Sequence, residues 1–181
     1  MARVAVINPQ SATGEVKTLL DAVQSGLGMV PNFIRVLANS PAALGAFLGL
    51  HGIASSGALD PLTRERIALA VAEQNGCQYC VSAHTAIGRK SGLDGDEMLA
   101  NRQGRSSNSK AAAALTFART LVEHTGQVTA AEVEAVRAAG HSDAEIVEII
   151  THVAMNIFTN LLGKATQVEI DFPKVALTTG A

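Results

Sequence analysis

The sequence predicts an all-α fold, a compact multi-helix domain spanning residues 1–181 as a single unit. Three observations carry that prediction. Apolar residues recur at steps of three and four along most of the chain, the period of a helix face. Several of these runs open on a capping residue or a cap-proline pair, namely Ser40-Pro41, Asp60-Pro61, Thr129 and Ser142. No run alternates apolar and polar residues between hairpin turns, as a half-buried strand would. Apolar residues make up 48% of the chain and aromatic ones only 3%, with Ala abundant, so small side chains let helices approach closely.

Residues 1–12 read as an irregular arm. Thr13–Ser25 is helical through Val16, Leu19, Leu20 and Val23, with Gly26 and Gly28 ending it. Pro31 suits the first position of a short helix carrying Phe33, Ile34, Val36 and Leu37. Ser40-Pro41 launches a third helix through Leu44, Phe47, Leu48 and His51, stopping near Ser55–Gly57. Asp60-Pro61 launches the next, which runs to Asn75 and breaks at Gly76. A helix restarts at Cys77, passes His84 and Ile87 to Lys90, and has Gly92 as its C-cap. Asp94–Asn101 forms a short helical turn, and Gln103–Ser109 is a polar loop. Lys110–His124 is an Ala-rich helix. Thr129 caps another that ends at Gly140, and Ser142 caps the last, Asp143–Leu162.

Charge and composition narrow the function classes. The formal net charge is −2 and no Lys/Arg run occurs, so neither nucleic acid nor an anionic membrane surface is an expected partner. The first ten residues lack the apolar core of a signal peptide, and no uninterrupted apolar run approaches the ~20 residues of a membrane span. The expected location is the cytoplasm. In that reducing compartment a cysteine pair is an unlikely staple, and Cys-x-x-Cys reads as a catalytic or metal motif. The apolar fraction also exceeds what a small monomer needs, which favours a homo-oligomer.

The chemistry concentrates in Glu73–His84, within the helical pair 60–92. This stretch holds both cysteines of the chain, Cys77 and Cys80, its only tyrosine, Tyr79, and His84. Cys-x-x-Cys at a helix start brings the sulfurs within disulfide reach, and the helix N-terminus favours a thiolate. His84 follows Cys80 by four residues, one turn along the same face, where an imidazole can take the thiol proton. Upstream, Glu65 shares a helix face with Ala68/Leu69, Ala72 and Gly76, and the chain reversal at Gly76 points that face at the cysteines. Glu73 is expected to pair with a nearby Arg or Lys. Cys77, Cys80 and His84 supply three metal ligands without a second pair, so no metal is expected, and Val81 breaks the haem-attachment pattern. No cofactor is expected. His152, Asn156, Thr159/Asn160 and Gly163 form a polar stripe on an apolar helix, read either as the lining of a pocket or interface or as internally satisfied core groups. His51 reads as a core or interface residue, and His124 and His141 as helix-end residues.

The pattern Glu65, eleven residues, Cys77-x-x-Cys80, three residues, His84 resembles the active-site signature of alkyl hydroperoxidase D and the wider carboxymuconolactone decarboxylase-like family. The resemblance covers Val30–Asp94 and more loosely the helices after it. Val30-Pro-Asn-Phe-Ile and Val168-Glu-Ile-Asp-Phe-Pro173 resemble the subgroup of peroxidase-related proteins. The resemblance implies the alkyl hydroperoxidase D-like fold, assembly as a homotrimer or hexamer, and thiol-dependent reduction of hydroperoxides. By position, Cys80 would be the peroxidatic cysteine, Cys77 the resolving cysteine and proton donor, and Glu65 and His84 the proton relay. An external dithiol, thioredoxin-like or lipoyl-type, would regenerate the pair. One departure stands out: Tyr79 fills the place of a further relay histidine, and a phenol with pKa ~10 is a poor base at neutral pH. Tyr79 is then either a lining residue of a pocket or interface or a hydrogen-bonding participant in proton transfer. Two other functions fit the same chain: a lactone decarboxylase, whose chemistry needs no dithiol, and a non-catalytic redox sensor or disulfide-exchange protein.

Overall fold

The computed structural model describes residues 2–178; Met1 and residues 179–181, part of the expected single domain, lie outside them. Among the described residues the chain forms nine helices and no strand: α1 (Gly14–Leu27), α2 (Asn32–Leu37), α3 (Pro41–Ala54), α4 (Pro61–Gln74), α5 (Gln78–Lys90), α6 (Gly95–Arg102), α7 (Ser109–Glu123), α8 (Ala130–Ala138) and α9 (Asp143–Thr166). The starts are set by side-chain caps. Ser40, Asp60, Asp94 and Asn108 each accept the N–H three residues on, and Thr129 and Ser142 form full capping boxes with Glu132 and Glu145. Each such cap contributes about 1 kcal/mol.

The bundle is built around α4. Its Ile67, Ala68, Leu69, Ala70, Val71 and Ala72 are consecutive and all buried, and α5, α6, α7 and α9 pack around it. A helix apolar on every side has to be central. One core cluster joins Leu20, Ile34, Leu44 and Val81 with Cys77, Tyr79 and Cys80. A second joins Ile67, Leu115 and Ile149.

The observed elements depart from the sequence reading in several places. The first helix passes through Gly26 and ends at Gly28, whose φ of 77° is left-handed. Pro31 is the N-cap of α2 rather than its first residue. The last helix continues past Leu162 and Gly163 to Thr166. By length and composition α9 could cross a membrane; it lies instead against α4 and α7, with Ile149, Val153, Asn156 and Asn160 buried. His141, between the end of α8 and the start of α9, is buried: its Nε2 lies 3.0 Å from the Lys110 carbonyl and its Nδ1 3.4 Å from Glu145 Oε1. His51 is exposed rather than in the core and packs on the Phe47 ring at 5.8 Å.

Residues 167–178 run back over α5 without helix. Val175 N–H donates to Ser82 Oγ (3.1 Å) and Gln78 Nε2 donates to the Val175 carbonyl (3.2 Å). Further along, Thr178 donates through N and Oγ1 to Glu73 Oε1 (2.6 and 2.8 Å). The other Glu73 oxygen pairs with Arg102 Nε at 2.7 Å, in a buried ion pair that matches the expected Arg or Lys partner.

Candidate active site

Gly76, at φ 64°, reverses the chain between α4 and α5 and lays the second helix back along the first. Cys77 is the N-cap of α5, and its Sγ accepts the Cys80 N–H at 3.3 Å, the place a Ser or Asp oxygen usually fills. The dithiol therefore sits at the positive end of the α5 dipole. The two cysteines are joined by a disulfide with Cα atoms 5.3 Å apart, and both are buried.

A pocket of about 620 Å³ opens onto this point. Cys80 lines it and Cys77 is not among its lining residues. Three of the five phenylalanines, Phe33, Phe47 and Phe172, form its apolar wall. The predicted pair comes together on the opposite wall: His84 Nδ1 lies 2.9 Å from Glu65 Oε2, both partly buried. A carboxylate on one ring nitrogen orients the imidazole and leaves the other nitrogen to take or give a proton. Arg64 and His51 also line the pocket, and neither was assigned to the site from sequence. Arg64 Nη1 donates to the carbonyls of Ser55 (2.5 Å) and Ala54 (3.4 Å), which holds the end of α3 over the pocket. Partial desolvation, then repulsion from His84, lowers the pKa of His51. The one available signal for His51 was its helical spacing from Phe47.

The Tyr79 hydroxyl is held by two hydrogen bonds. It donates to Asp171 Oδ1 (2.8 Å) and accepts the Phe33 N–H (3.2 Å). Asp171 Oδ2 in turn accepts the Asn32 N–H (2.7 Å), and Asn32 Nδ2 donates to the Glu169 carbonyl (3.2 Å). The ring packs against Phe33 and Phe172, with centroids 6.1 and 5.8 Å away. The two distant segments around Phe33 and Phe172 thus converge on the middle of the Cys-x-x-Cys motif. Burial, with the Asp171 carboxylate adding to it and the Phe33 N–H opposing, pushes the phenol pKa far above its ordinary value. Tyr79 stays protonated and acts as an anchor that also borders the pocket.

The polar stripe of α9 divides into three parts. Gly163 backs the disulfide, and a Cβ there would stand 3.2 Å from Cys77 Sγ and 3.8 Å from Cys80 Sγ. Asn160 Oδ1 accepts from Asn75 Nδ2 (2.9 Å) and Lys164 Nζ donates to the Asn75 carbonyl (2.6 Å), which fasten α9 to the end of α4. His152, Asn156 and Thr159 line the pocket. Among the described residues, no group of three His, Cys, Asp or Glu side chains is placed to hold a metal ion.

Comparisons with known proteins extend these observations. Residues 41–123 match the Carboxymuconolactone decarboxylase family. The fold is similar to that of an uncharacterized peroxidase-related protein from Silicibacter sp. TM1040 (TM-score 0.81, 26% identity, covering 92% of this chain and 88% of the other). It is equally similar to a second, an alkylhydroperoxidase AhpD core from Ralstonia eutropha JMP134 (TM-score 0.82, 27% identity, 94% and 92% covered). The debrominase Bmp8, solved with 2,3,4-tribromopyrrole, shares the fold at 19% identity (TM-score 0.77, 94% of each chain). No curated protein sequence matches.

Proposed function

We propose, from the match of residues 41–123 to the Carboxymuconolactone decarboxylase family and the likeness of the fold to two peroxidase-related proteins, that this chain is a thiol-dependent peroxidase of the alkyl hydroperoxidase D-like kind acting through Cys80 and Cys77. One observation carries the reading: of the two sulfurs, that of Cys80 belongs to the residue lining the pocket, whose wall also holds the Glu65–His84 pair. In the reduced protein His84 takes the Cys80 thiol proton, helped by the α5 N-terminus. The thiolate attacks the distal oxygen of ROOH, forming an S–O bond as the O–O bond breaks. The leaving alkoxide takes the proton back from His84 and departs as ROH. The Cys77 thiol then displaces hydroxide from the sulfenic acid, giving the disulfide and water. An external dithiol reduces the disulfide by exchange and is itself oxidised. A reducing cytoplasm suits that recycling, and no metal or organic cofactor enters the cycle.

The test is stoichiometric. One equivalent of alkyl hydroperoxide should consume both thiols of the reduced protein, yield one alcohol and leave the intramolecular disulfide. Cys80→Ser should abolish the reaction. Cys77→Ser should stop at a sulfenic acid that dimedone traps. His84→Ala should slow thiol oxidation on the order of a hundredfold. Survival of both thiols at modest peroxide excess sinks the reading. A Cys77→Ser/Cys80→Ser variant that decarboxylated a lactone at the wild-type rate would put the lyase reading first.

A further inference from the structure

One permanent cation of the pocket has no counter-charge. Arg64 lines the pocket from α4, on the face it shares with Pro61, Glu65 and Ala68. Its Nη1 donates to the carbonyls of Ala54 and Ser55, so that nitrogen is spent on the C-terminal end of α3. Among the described residues, Arg64 Nε and Nη2 have no hydrogen-bond partner, and neither is sealed from solvent. The carboxylates at this end of α4 are engaged. Glu65 holds His84 (2.9 Å), Glu148 accepts the N–H groups of Ala58 and Leu59 (2.9 and 2.6 Å), and Asp60 caps α4 through the Thr63 N–H (2.9 Å). The two carbonyls of α3 account for one nitrogen of Arg64 and leave its Nε–Nη2 edge unused. That edge is the fork of parallel N–H donors that meets both oxygens of a carboxylate at once.

The rest of the pocket says what would carry the carboxylate. Phe33, Ile34, Phe47, Leu48 and Phe172 give it apolar walls, and Cys80 is part of the same lining. Helices α4 and α5 run back along one another from Gly76, with Glu65 and His84 in contact between them. Arg64 lies ten residues before the end of α4, and Cys80 two after the start of α5. At 1.5 Å per residue, Arg64 stands on the order of 10 Å further from the turn than Cys80 does. Lys90, the other permanent cation of the lining, is exposed, so water and salt already screen its ammonium. We propose that the Nε–Nη2 edge of Arg64 binds the carboxylate of an amphiphilic ligand whose apolar chain fills the pocket towards Cys80. The substrate class is then a hydroperoxide of a chain-like carboxylic acid, with the peroxide on the order of 10 Å from the carboxylate. The peroxide end rests on the peroxidase reading; the carboxylate site does not.

Binding to the disulfide form tests the site without any turnover. Octanoate and 1-octanol share one apolar chain, and only octanoate carries the carboxylate. Titration calorimetry at neutral pH should show octanoate binding the wild-type protein on the order of tenfold more tightly, the worth of a charge-assisted hydrogen-bonded pair. Arg64→Met, which keeps an unbranched apolar stem, should erase that preference. Arg64→Lys, which keeps the charge and loses the fork, should retain part of it, and Lys90→Met should leave it whole. Arg64→Met also gives up the bonds to Ala54 and Ser55, so the wild-type protein supplies a second readout. Its Arg64 Nε–H resonance should move with octanoate and not with octanol. Equal affinity for the two probes, no binding of either, or an unmoved resonance overturns the inference. So does a preference that persists in a folded Arg64→Met protein or is lost in Lys90→Met. A protein that prefers octanoate yet keeps its thiols under peroxide would retain the carboxylate site and lose the peroxidase reading.

Discussion

Tyr79 ties three parts of the chain together through one oxygen. Removing that oxygen leaves the Phe33 N–H and one oxygen of Asp171 without their partner, so Tyr79→Phe should cost about 1–3 kcal/mol in denaturant unfolding. The pH dependence has a definite sign. The folded pKa lies above the unfolded value of 10.0, so the neutral phenol contributes stability that is complete below pH 10. That stability is lost progressively above it. Wild-type protein should weaken between about pH 8 and about pH 10.5 by an increment that Tyr79→Phe lacks, and equal losses in both would refute the anchor. Cys77, Cys80 and His84 were legible in the sequence because helix arithmetic places Cys77 and His84 each about one turn from Cys80. The Tyr79 anchor was not, because its partner Asp171 lies 92 residues away. The charged trio shows the same limit. Spacing alone does not say that Glu65 turns to His84, Arg66 to Glu97, and Arg64 to the carbonyls of Ala54 and Ser55.

At the level of elements, α9 reaches the site through a glycine. Gly163 read as near a helix end, yet the helix runs through it, because the glycine is there for close approach to sulfur. Gly163→Ala should gain about 1 kcal/mol in helix propensity. Against that, a Cβ at 3.2 Å from Cys77 Sγ is overpacking worth about 1–3 kcal/mol, and a sulfur held in a disulfide cannot swing aside. The contact wins in the disulfide form, while a free thiol can rotate away. Equilibration with a dithiothreitol buffer should therefore show the variant shifted towards the dithiol; an unchanged or opposite shift would remove Gly163 from this role. Helix starts were the legible part of the elements, since Ser40, Asp60, Thr129 and Ser142 advertise themselves through their own side chains. Ends were less so, because Gly26, Gly28 and Gly163 look alike in sequence, yet the helices run through Gly26 and Gly163 and only Gly28 takes the left-handed conformation that stops one.

Over the whole molecule, an apolar strip stays uncovered on α3 and α9. Ile53 is 76% exposed and Leu161 64%, with Leu50, Val147, Ile150 and Phe158 also exposed on these two helices. Burying such side chains is worth roughly 1.5–3 kcal/mol each, which a second copy of the chain could supply. The expected species is a homotrimer or hexamer in sedimentation equilibrium, and Leu161→Glu should shift it to smaller mass. A wild-type protein that sediments as a monomer would refute this. The 48% apolar composition announced surplus apolar surface, but only the packed bundle shows on which helices it lies. The Asp171 carboxylate also sets a schedule for biosynthesis. It joins Asn32 and, through Tyr79, Phe33 only after all nine helices of the described residues have been translated. On the ribosome, α2 must wait for it with that junction unmade, and a nascent chain stalled before Asp171 would hold both cysteines without the clamp between them.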